Sequence, residues 1–173
     1  MVSYFTPLGK RPPSKALYPI KDIKDFTCYI THDHSTDNSV NLVKEFNPSR
    51  SQRRIWIKND DLSLQLRPAI ATEEQYSLFL RYQRYRHGSG DMAAMDFSDY
   101  QALIEDTPIE TSILEVRDSD GHLIAACLTD MMATGLSAVY SFFEPTLGRR
   151  SLGSYIIIWL IYRARALSLA HVY

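Results

Sequence analysis

Cysteine is scarce in this sequence, and its scarcity excludes several classes of small protein. Only Cys28 and Cys127 occur among the 173 residues. Two distant cysteines form neither a disulfide framework nor a zinc knuckle of Cys-x-x-Cys pairs. His32 and His34 lie close together, but no second pair of ligands follows at zinc-finger spacing, so a solvated polar loop explains them better. The sequence therefore predicts no metal site.

Long apolar runs and a strong net charge are also missing. The longest apolar run, Tyr155–Tyr162, is too short to span a bilayer. The initial MVSYFTPLGKRPPSK has no apolar core of the kind that a secretory signal needs. These absences predict a cytoplasmic protein that does not associate with membranes. The formal net charge of −1 argues against a protein that coats nucleic acid with its whole surface.

The charges that are present are unevenly distributed along the chain. Residues 1–68 carry 11 basic and 7 acidic side chains, residues 69–130 carry 4 and 12, and residues 131–173 carry 4 and 1. A basic–acidic–basic order is compatible with a polyanionic partner that contacts both basic segments.

The patterns of secondary structure divide the chain at about residue 46. Residues 1–45 are interrupted by prolines and keep no period, which predicts an irregular arm. Residues 46–173 show the patterns of a folded domain. Leucines alternate with polar residues over 62–67, as in a strand. Capping boxes at Thr72–Gln75 and Ser98–Gln101 predict helices that end near residues 87 and 105.

The second half of the domain reads as a meander followed by a loop and a helix. Three strands are predicted over 112–117, 122–132 and 136–143, and their short connections make them antiparallel. A loop rich in glycine and arginine then precedes a helix to about residue 168 and a last strand from residue 170. This order predicts an α/β chain of the N-acetyltransferase-like (GNAT) type, with a mixed, mostly antiparallel sheet, flanking helices and no C-terminal part.

Five segments in fixed order carry a resemblance to a known family. They are NPSRSQRR (47–54), ATEEQYSLFLRYQRYRHGSGDM (71–92), TD (129–130), GLSAVYSFFEP (135–145) and RRSLGSY (149–155). Together they resemble the aminoacyl-tRNA–protein transferases, over about three-quarters of the chain. SRSQRR is similar to the bacterial branch, which transfers leucine to proteins beginning with Asp or Glu; a sibling branch transfers arginine.

Two features of the family have no counterpart here. The family's N-terminal cysteine cluster is missing, and so is the Leu-Gly-Tyr-Trp-Ile segment that typically follows HVY. The resemblance therefore implies a truncated member of the family. It implies aminoacyl-tRNA and proteins with N-terminal Asp or Glu as substrates, and a product marked for degradation. Because the ester of aminoacyl-tRNA is already activated, the implied reaction needs no cofactor and no covalent enzyme intermediate.

The implied reaction is attack of a protein α-amine on the ester, and three residues are candidates for its catalysis. Asp130 interrupts an apolar strand with a charge, so it orients an amine or is a hydrogen-bonded structural residue. Tyr140 can donate its hydroxyl hydrogen to a tetrahedral intermediate. His87 can act as a general base, or as a cap at the end of its helix.

Substrate binding is predicted at the arginine-rich loop and on the third meander strand. Guanidinium groups suit phosphate oxygens and glycine permits close approach, although a solvated basic turn is the alternative. A period of two places Ala138 and Tyr140 on one face with Phe142, for which a core position is the alternative. The predicted substrate-binding residues are Arg149, Arg150, Ser151, Gly153, Ser137 and Phe142.

A second basic cluster surrounds Ile55–Ile57. Arg50, Arg53, Arg54 and Lys58 are predicted to bind the tRNA backbone, with an exposed basic strand edge as the alternative. Two other functions remain open. An acetyl-CoA-dependent acetyltransferase is disfavoured because Tyr155 replaces the second small residue of the Arg-x-x-Gly-x-Gly/Ala loop. An inactive remnant of a transferase is the other.

Overall fold

The computed structural model describes Val43, residues 46–88 and residues 90–173, with the His87 side chain outside the description. The predicted arm therefore lies outside the described residues except for Val43, and so do Cys28, His32 and His34. No helix in the described part of the chain is both long and apolar enough to cross a membrane.

One sheet of five strands organises the described chain. The spatial order of the strands follows the sequence: β1 Ser63–Pro68, β2 Thr111–Arg117, β3 Leu123–Met131, β4 Gly135–Phe143 and β5 His171–Val172. The first four strands pair antiparallel, whereas β4 and β5 pair parallel. The predicted meander and the mixed, mostly antiparallel sheet are confirmed.

Four α-helices flank this sheet. They are α1 Arg50–Lys58, α2 Glu73–His87, α3 Phe97–Glu105 and α4 Leu152–Ala166. Short 3₁₀ helices cover Asp91–Ala94 and Pro145–Arg150, the second within the predicted basic loop. The capping box at Thr72 and Gln75 begins α2 as predicted.

The predicted start of α3 is wrong by two residues. The Asp96 side chain accepts a hydrogen bond from the Asp99 amide, and the Asp99 side chain accepts one from the Asp96 amide. This reciprocal pair caps the helix, so Ser98 lies inside the first turn. Aspartate accepts from the backbone as well as serine does, and two overlapping segments here both fit a capping pattern.

The α1 segment is a helix, so the alternative of an exposed basic strand edge is wrong. Ser49 accepts from the Gln52 amide and Gln52 bonds back to the Ser49 amide, which completes a capping box. Trp56 then packs against Tyr155 and Tyr162 of α4, with ring centroids 5.4 and 4.8 Å apart. Local capping and this tertiary contact together outweigh the strand propensity of Ile55–Ile57.

Hydrophobic clusters cover the two faces of the sheet. On one face α4 packs against Leu114, Val116, Ala125, Cys127 and Leu136. On the other, α2 and α3 pack against Ile113, Ala126, Leu128 and Phe142. The meander strands are therefore covered by helices on both faces, as expected of a sheet at the centre of a domain.

A bulge changes the predicted face pattern of β4. Leu128 pairs with Tyr140 and Thr129 pairs with Ala138, so Val139 is an extra residue without a partner on β3. Ala138 packs in the α4-side cluster, whereas Tyr140 packs in the α2-side cluster. The prediction that Ala138 shares a face with Tyr140 is wrong, because one inserted residue reverses the alternation of a strand.

Glycine at position 135 permits the parallel pairing of β4 and β5. A Cβ atom on Gly135 would lie 2.5 Å from the carbonyl oxygen of His171. Real side chains do not tolerate such an approach to backbone atoms, so another residue here would push β5 away.

Candidate functional site

Asp130 lies near the end of β3 with its carboxylate held by a neighbouring strand. The Thr111 hydroxyl donates to Asp130 Oδ1 over 2.6 Å. Asp130 is half-buried, and its Cα partner on β4 is Ser137. Among the described residues, no donor contacts Asp130 Oδ2. The carboxylate thus has one partnered oxygen and one that can accept from a ligand amine.

Tyr140 is positioned by a buried amide of α2. The Gln83 Nε2 group donates to the Tyr140 hydroxyl oxygen over 2.6 Å, and Gln83 is fully buried. Burial raises the pKa of Tyr140 above its usual value, and the hydrogen bond from Gln83 offsets part of that rise. The phenol therefore keeps its proton at neutral pH, and since Gln83 donates to the oxygen, that proton can be offered elsewhere.

These groups lie together on the α2-side face of the sheet. Leu128 and Tyr140 pack on that face, and Asp130 follows Leu128 by two residues. Leu136 packs on the opposite face, so Ser137 also points towards α2. We call Thr111, Asp130, Ser137, Tyr140 and Gln83 the polar patch. The structure thus brings together the predicted residues Asp130, Tyr140 and Ser137.

Two other predicted residues are not part of the polar patch. Phe142 is 1% exposed and its ring lies 5.6 Å from that of Phe79, so the core alternative is the right one and the ring offers no surface to a substrate. His87 is the last residue of α2. Its side chain lies outside the described residues, so its role as base or cap stays a prediction.

The predicted tRNA-binding residues share one face of α1. Arg50, Arg53, Arg54 and Lys58 are all exposed and follow the spacing of a helical stripe. The opposite face of α1 carries Trp56, which packs against α4. Packing on one side therefore directs the four basic side chains to solvent.

The arginine-rich loop joins this stripe in space. Lys58 Nζ donates to the Arg149 carbonyl oxygen over 2.6 Å, and Asn59 Nδ2 donates to the Arg150 carbonyl oxygen over 2.9 Å. These partners are 91 residues apart in sequence. We call Arg50, Arg53, Arg54, Lys58 and Arg149 the basic surface. The two basic segments of the sequence become one surface in the folded chain.

The start of α4 follows the loop of the basic surface directly in the chain. Ser151, which precedes α4, has the left-handed conformation (φ 53°, ψ 48°) and its side chain makes no capping bond. A Cβ atom on Gly153 would lie 3.4 Å from Phe143 Cε1, an ordinary contact. Packing alone therefore does not require glycine at position 153, whereas close approach of a ligand to the backbone would.

The polar patch and the basic surface lie at opposite ends of β4. Ser137 is near the beginning of that strand, and the loop with Arg149 follows its end at Phe143. Six residues of strand at about 3.3 Å each separate the two regions by roughly 20 Å. The predicted catalytic residues and the predicted loop residues are therefore not in side-chain contact.

Four residues of these regions were not found from the sequence. Gln83 and Thr111 bond the two patch residues, and Asn59 and Asp61 bond the loop. The spacing of Gln83 from Phe79, one helical turn, could have placed it on the buried face of α2. Nothing in the local sequence links the other three residues to their partners, because each contact joins different elements.

Comparison with known proteins identifies the family. Residues 74–173 match the model of the family described as arginine-tRNA-protein transferase, C terminus. The aspartate/glutamate leucyltransferase of Paramagnetospirillum magneticum is 52% identical over 132 residues, which are 76% of this chain and 54% of that protein. Its namesake from Granulibacter bethesdensis is 53% identical over 131 residues, 76% of this chain and 49% of that protein. The chain spans about half the length of these relatives. It belongs to the arginine-tRNA-protein transferase family, whose C-terminal region residues 74–173 match.

Proposed function

We propose that the chain transfers an amino acid from aminoacyl-tRNA to the N-terminal amine of proteins that begin with Asp or Glu. Leucine is the favoured amino acid, because relatives about 50% identical are named aspartate/glutamate leucyltransferase, and arginine is the next candidate. The observation that supports the proposal most strongly is the joining of α1 and the 149–150 loop into one basic surface. The product is a protein marked for degradation, and the place of the reaction is the cytoplasm.

The basic surface holds the phosphates of the tRNA in this proposal. The four cations of α1 and Arg149 of the loop suit a phosphate backbone, whose binding depends on charge and not on sequence. Arg149 and the backbone of Ser151 and Gly153 contact the 3′ end, where glycine admits a phosphate closely. The aminoacyl end then extends a few nucleotides along β4 and passes round the edge of that strand, beyond its short pairing with β5, to the polar patch on the α2-side face.

The polar patch carries out the chemistry in this proposal. The acceptor amine attacks the ester carbonyl carbon, a C–N bond forms, the C–O bond to the ribose breaks, and the ribose oxygen takes up a proton. Asp130 Oδ2 orients an α-amino group, and the Tyr140 hydroxyl donates to the oxyanion that develops on the carbonyl. His87 remains a candidate for the general base that removes the proton from the amine.

The fold supports an N-acetyltransferase-like (GNAT) domain over residues 46–173. The mixed five-stranded sheet, its flanking helices and the basic loop before α4 support this assignment. An acetyl-CoA-dependent reaction is disfavoured, because Tyr155 is 3% exposed where the nucleotide loop needs a small residue. No metal or cofactor enters the proposed reaction.

A transfer assay tests the proposal. The purified chain is mixed with tRNA charged with labelled leucine or arginine and with peptides beginning with Asp, Glu or Ala. Label should reach the Asp and Glu peptides only, and leucine should transfer faster than arginine. Acetyl-CoA with the same peptides is the control for the other reaction. Acetylation without aminoacyl transfer would overturn the proposal, and binding of tRNA with no transfer would favour the inactive remnant.

A further inference from the structure

The end of α1 and the turn that follows it make hydrogen bonds to the arginine-rich loop at three points. Lys58 Nζ bonds the Arg149 carbonyl oxygen at 2.6 Å, and Asn59 Nδ2 bonds the Arg150 carbonyl oxygen at 2.9 Å. Asp61 accepts two hydrogen bonds from the Arg150 guanidinium, at 2.8 and 2.9 Å. Lys58 at the end of α1, with Asn59 and Asp61 in the turn after it, thus holds both carbonyls and one side chain of a loop that lies 89 to 91 positions further along the chain.

The two arginines of the loop have different surroundings. The Arg150 guanidinium is occupied by Asp61, and its Nη1 also lies 3.4 Å from Asn59 Oδ1. The Asp61 carboxylate occupies the end-on fork of Arg150 and neutralises its charge, which makes Arg150 less available to a phosphate than Arg149 is. The Arg149 guanidinium is exposed, and none of the described residues bonds it.

We propose that Asp61 and Asn59 are positioning residues for the RNA-binding loop, and that Arg150 acts through them and not on the RNA. Asn59 fixes the Arg150 carbonyl and Asp61 fixes the Arg150 guanidinium, so that together with Lys58 they hold the loop with Arg149 and the start of α4 facing the phosphates. The inference rests on the proposed tRNA binding. Preorganisation of this kind raises affinity because the loop is ordered before the ligand arrives.

For removal of the Asp61 carboxylate, a positioning role and simple electrostatics predict opposite changes in RNA affinity. Removal of a carboxylate next to a cationic surface ordinarily strengthens binding of a polyanion, because it removes repulsion. If Asp61 positions the loop, its removal weakens binding instead. The Asp61 side chain is 42% exposed and that of Arg150 is 30% exposed, so the ion pair adds little to global stability and the variant should fold.

The test compares Asp61→Asn with Asp60→Asn in the full chain. Asp60 is exposed, has the same charge, and makes no side-chain hydrogen bond to the described residues. Affinity for unacylated bulk tRNA is measured by titration at fixed salt. We expect Asp61→Asn to bind about three- to tenfold more weakly than the wild type through lost preorganisation, and Asp60→Asn to bind equally well or more tightly. Equal or tighter binding by Asp61→Asn overturns the inference.

A charge-reversed pair and amide exchange separate this inference from the proposed function. Asp61→Arg combined with Arg150→Asp keeps the net charge and the ion pair, so it should restore affinity to within about twofold of the wild type if position matters. Amide hydrogen exchange across 149–153 should be faster in Asp61→Asn than in Asp60→Asn. A wild-type chain that binds no tRNA refutes the proposed function, whereas unchanged exchange in Asp61→Asn refutes the positioning role by itself.

Discussion

The two ends of β4 are built in different ways. The polar patch takes Asp130, Ser137 and Tyr140 from one hairpin, whose strands are neighbours in sequence, and adds Thr111 and Gln83. The basic surface joins α1 to a loop 91 residues away. The first region is half-buried and held by hydrogen bonds to single donors. The second is exposed and held by a turn that clamps the loop. The comparison suggests chemistry at the first end and binding at the second.

The largest expected effect comes from the residue that joins the two ends. Phe142 is buried on β4 between them, against Phe79 and Tyr100. Phe142→Ala leaves a cavity and should lower the free energy of unfolding by about 3–5 kcal/mol, measured by urea denaturation. Tyr85→Ala, at a side chain 71% exposed, is the control and should change it little. An unchanged stability would contradict the core position of Phe142.

Removal of the patch carboxylate should stop chemistry and spare binding. Asp130→Asn keeps the hydrogen bond from Thr111 but loses the charge that orients an amine. The rate of transfer to a peptide beginning with Asp should fall by about 10²-fold or more, while tRNA affinity stays within the error of the wild type. Wild-type transfer would make Asp130 a structural residue. Lost tRNA affinity would show that the polar patch also binds tRNA, so that chemistry and binding are not divided between the two ends of β4.

Neutralisation of the basic stripe on α1 should weaken tRNA binding, which the Asp130 variant leaves unchanged. The double variant Arg53→Ala, Arg54→Ala should bind tRNA about tenfold more weakly at low salt, and the slope of log affinity against log salt should fall by about 2. Arg84→Ala with Arg86→Ala removes the same charge from α2, on the other face of the sheet, and serves as the control. Equal slopes in the two double variants would remove α1 from the binding surface.

Gly153, at the start of α4, tests whether a phosphate approaches the backbone next to the basic surface. Because a methyl group fits beside Phe143, Gly153→Ala should change the free energy of unfolding by less than about 1 kcal/mol, with stabilisation favoured by helix propensity. Affinity for tRNA should nevertheless decrease if a phosphate approaches this backbone. Thermal unfolding and tRNA titration on the same sample separate the two effects; full affinity would show that no phosphate approaches there.

The smallest expected effect is the pH dependence of the loop. Hydrogen bonds from Arg150 hold the pKa of Asp61 below its usual value of 3.8. The clamp is therefore fully formed above that pH and is lost as the pH falls through the lowered pKa. Protection of the 149–153 amides, corrected for intrinsic exchange rates, should decline below about pH 4 in the wild type. The already weakened protection in Asp61→Asn should lack this acid step, and an identical step in both would assign it to another group.

Patterns that repeat within one element were predicted from the sequence. The α2 capping box, the alternation over 62–67 and the short connections of the meander all depend on neighbours a few residues apart. The bulge at Val139 was not predicted, because it depends on which residues of β3 lie opposite. The start of α3 was missed since two overlapping capping patterns compete locally, and packing of Phe97 and Tyr100 into the core selects one.

The residues of the candidate site likewise include some that the sequence predicted and some that it did not. The basic clusters, Asp130 and Tyr140 were found because their residue types are unusual for their positions. Their partners Gln83, Asn59 and Asp61 were not, because nothing marks a polar residue as the partner of a group 57, 91 or 89 positions away.

The sequence by itself determined helices α2 and α4, the meander and the family, since local periodicity and ordered motifs are properties of the chain before it folds. Only the tertiary structure decided that α1 and the 149–150 loop form one surface, that Ala138 and Tyr140 point to opposite faces, and that Arg150 binds Asp61. The physical reason is that pairing across the sheet and between helices brings distant groups within hydrogen-bond range, and such distances are set by the packing of the whole core.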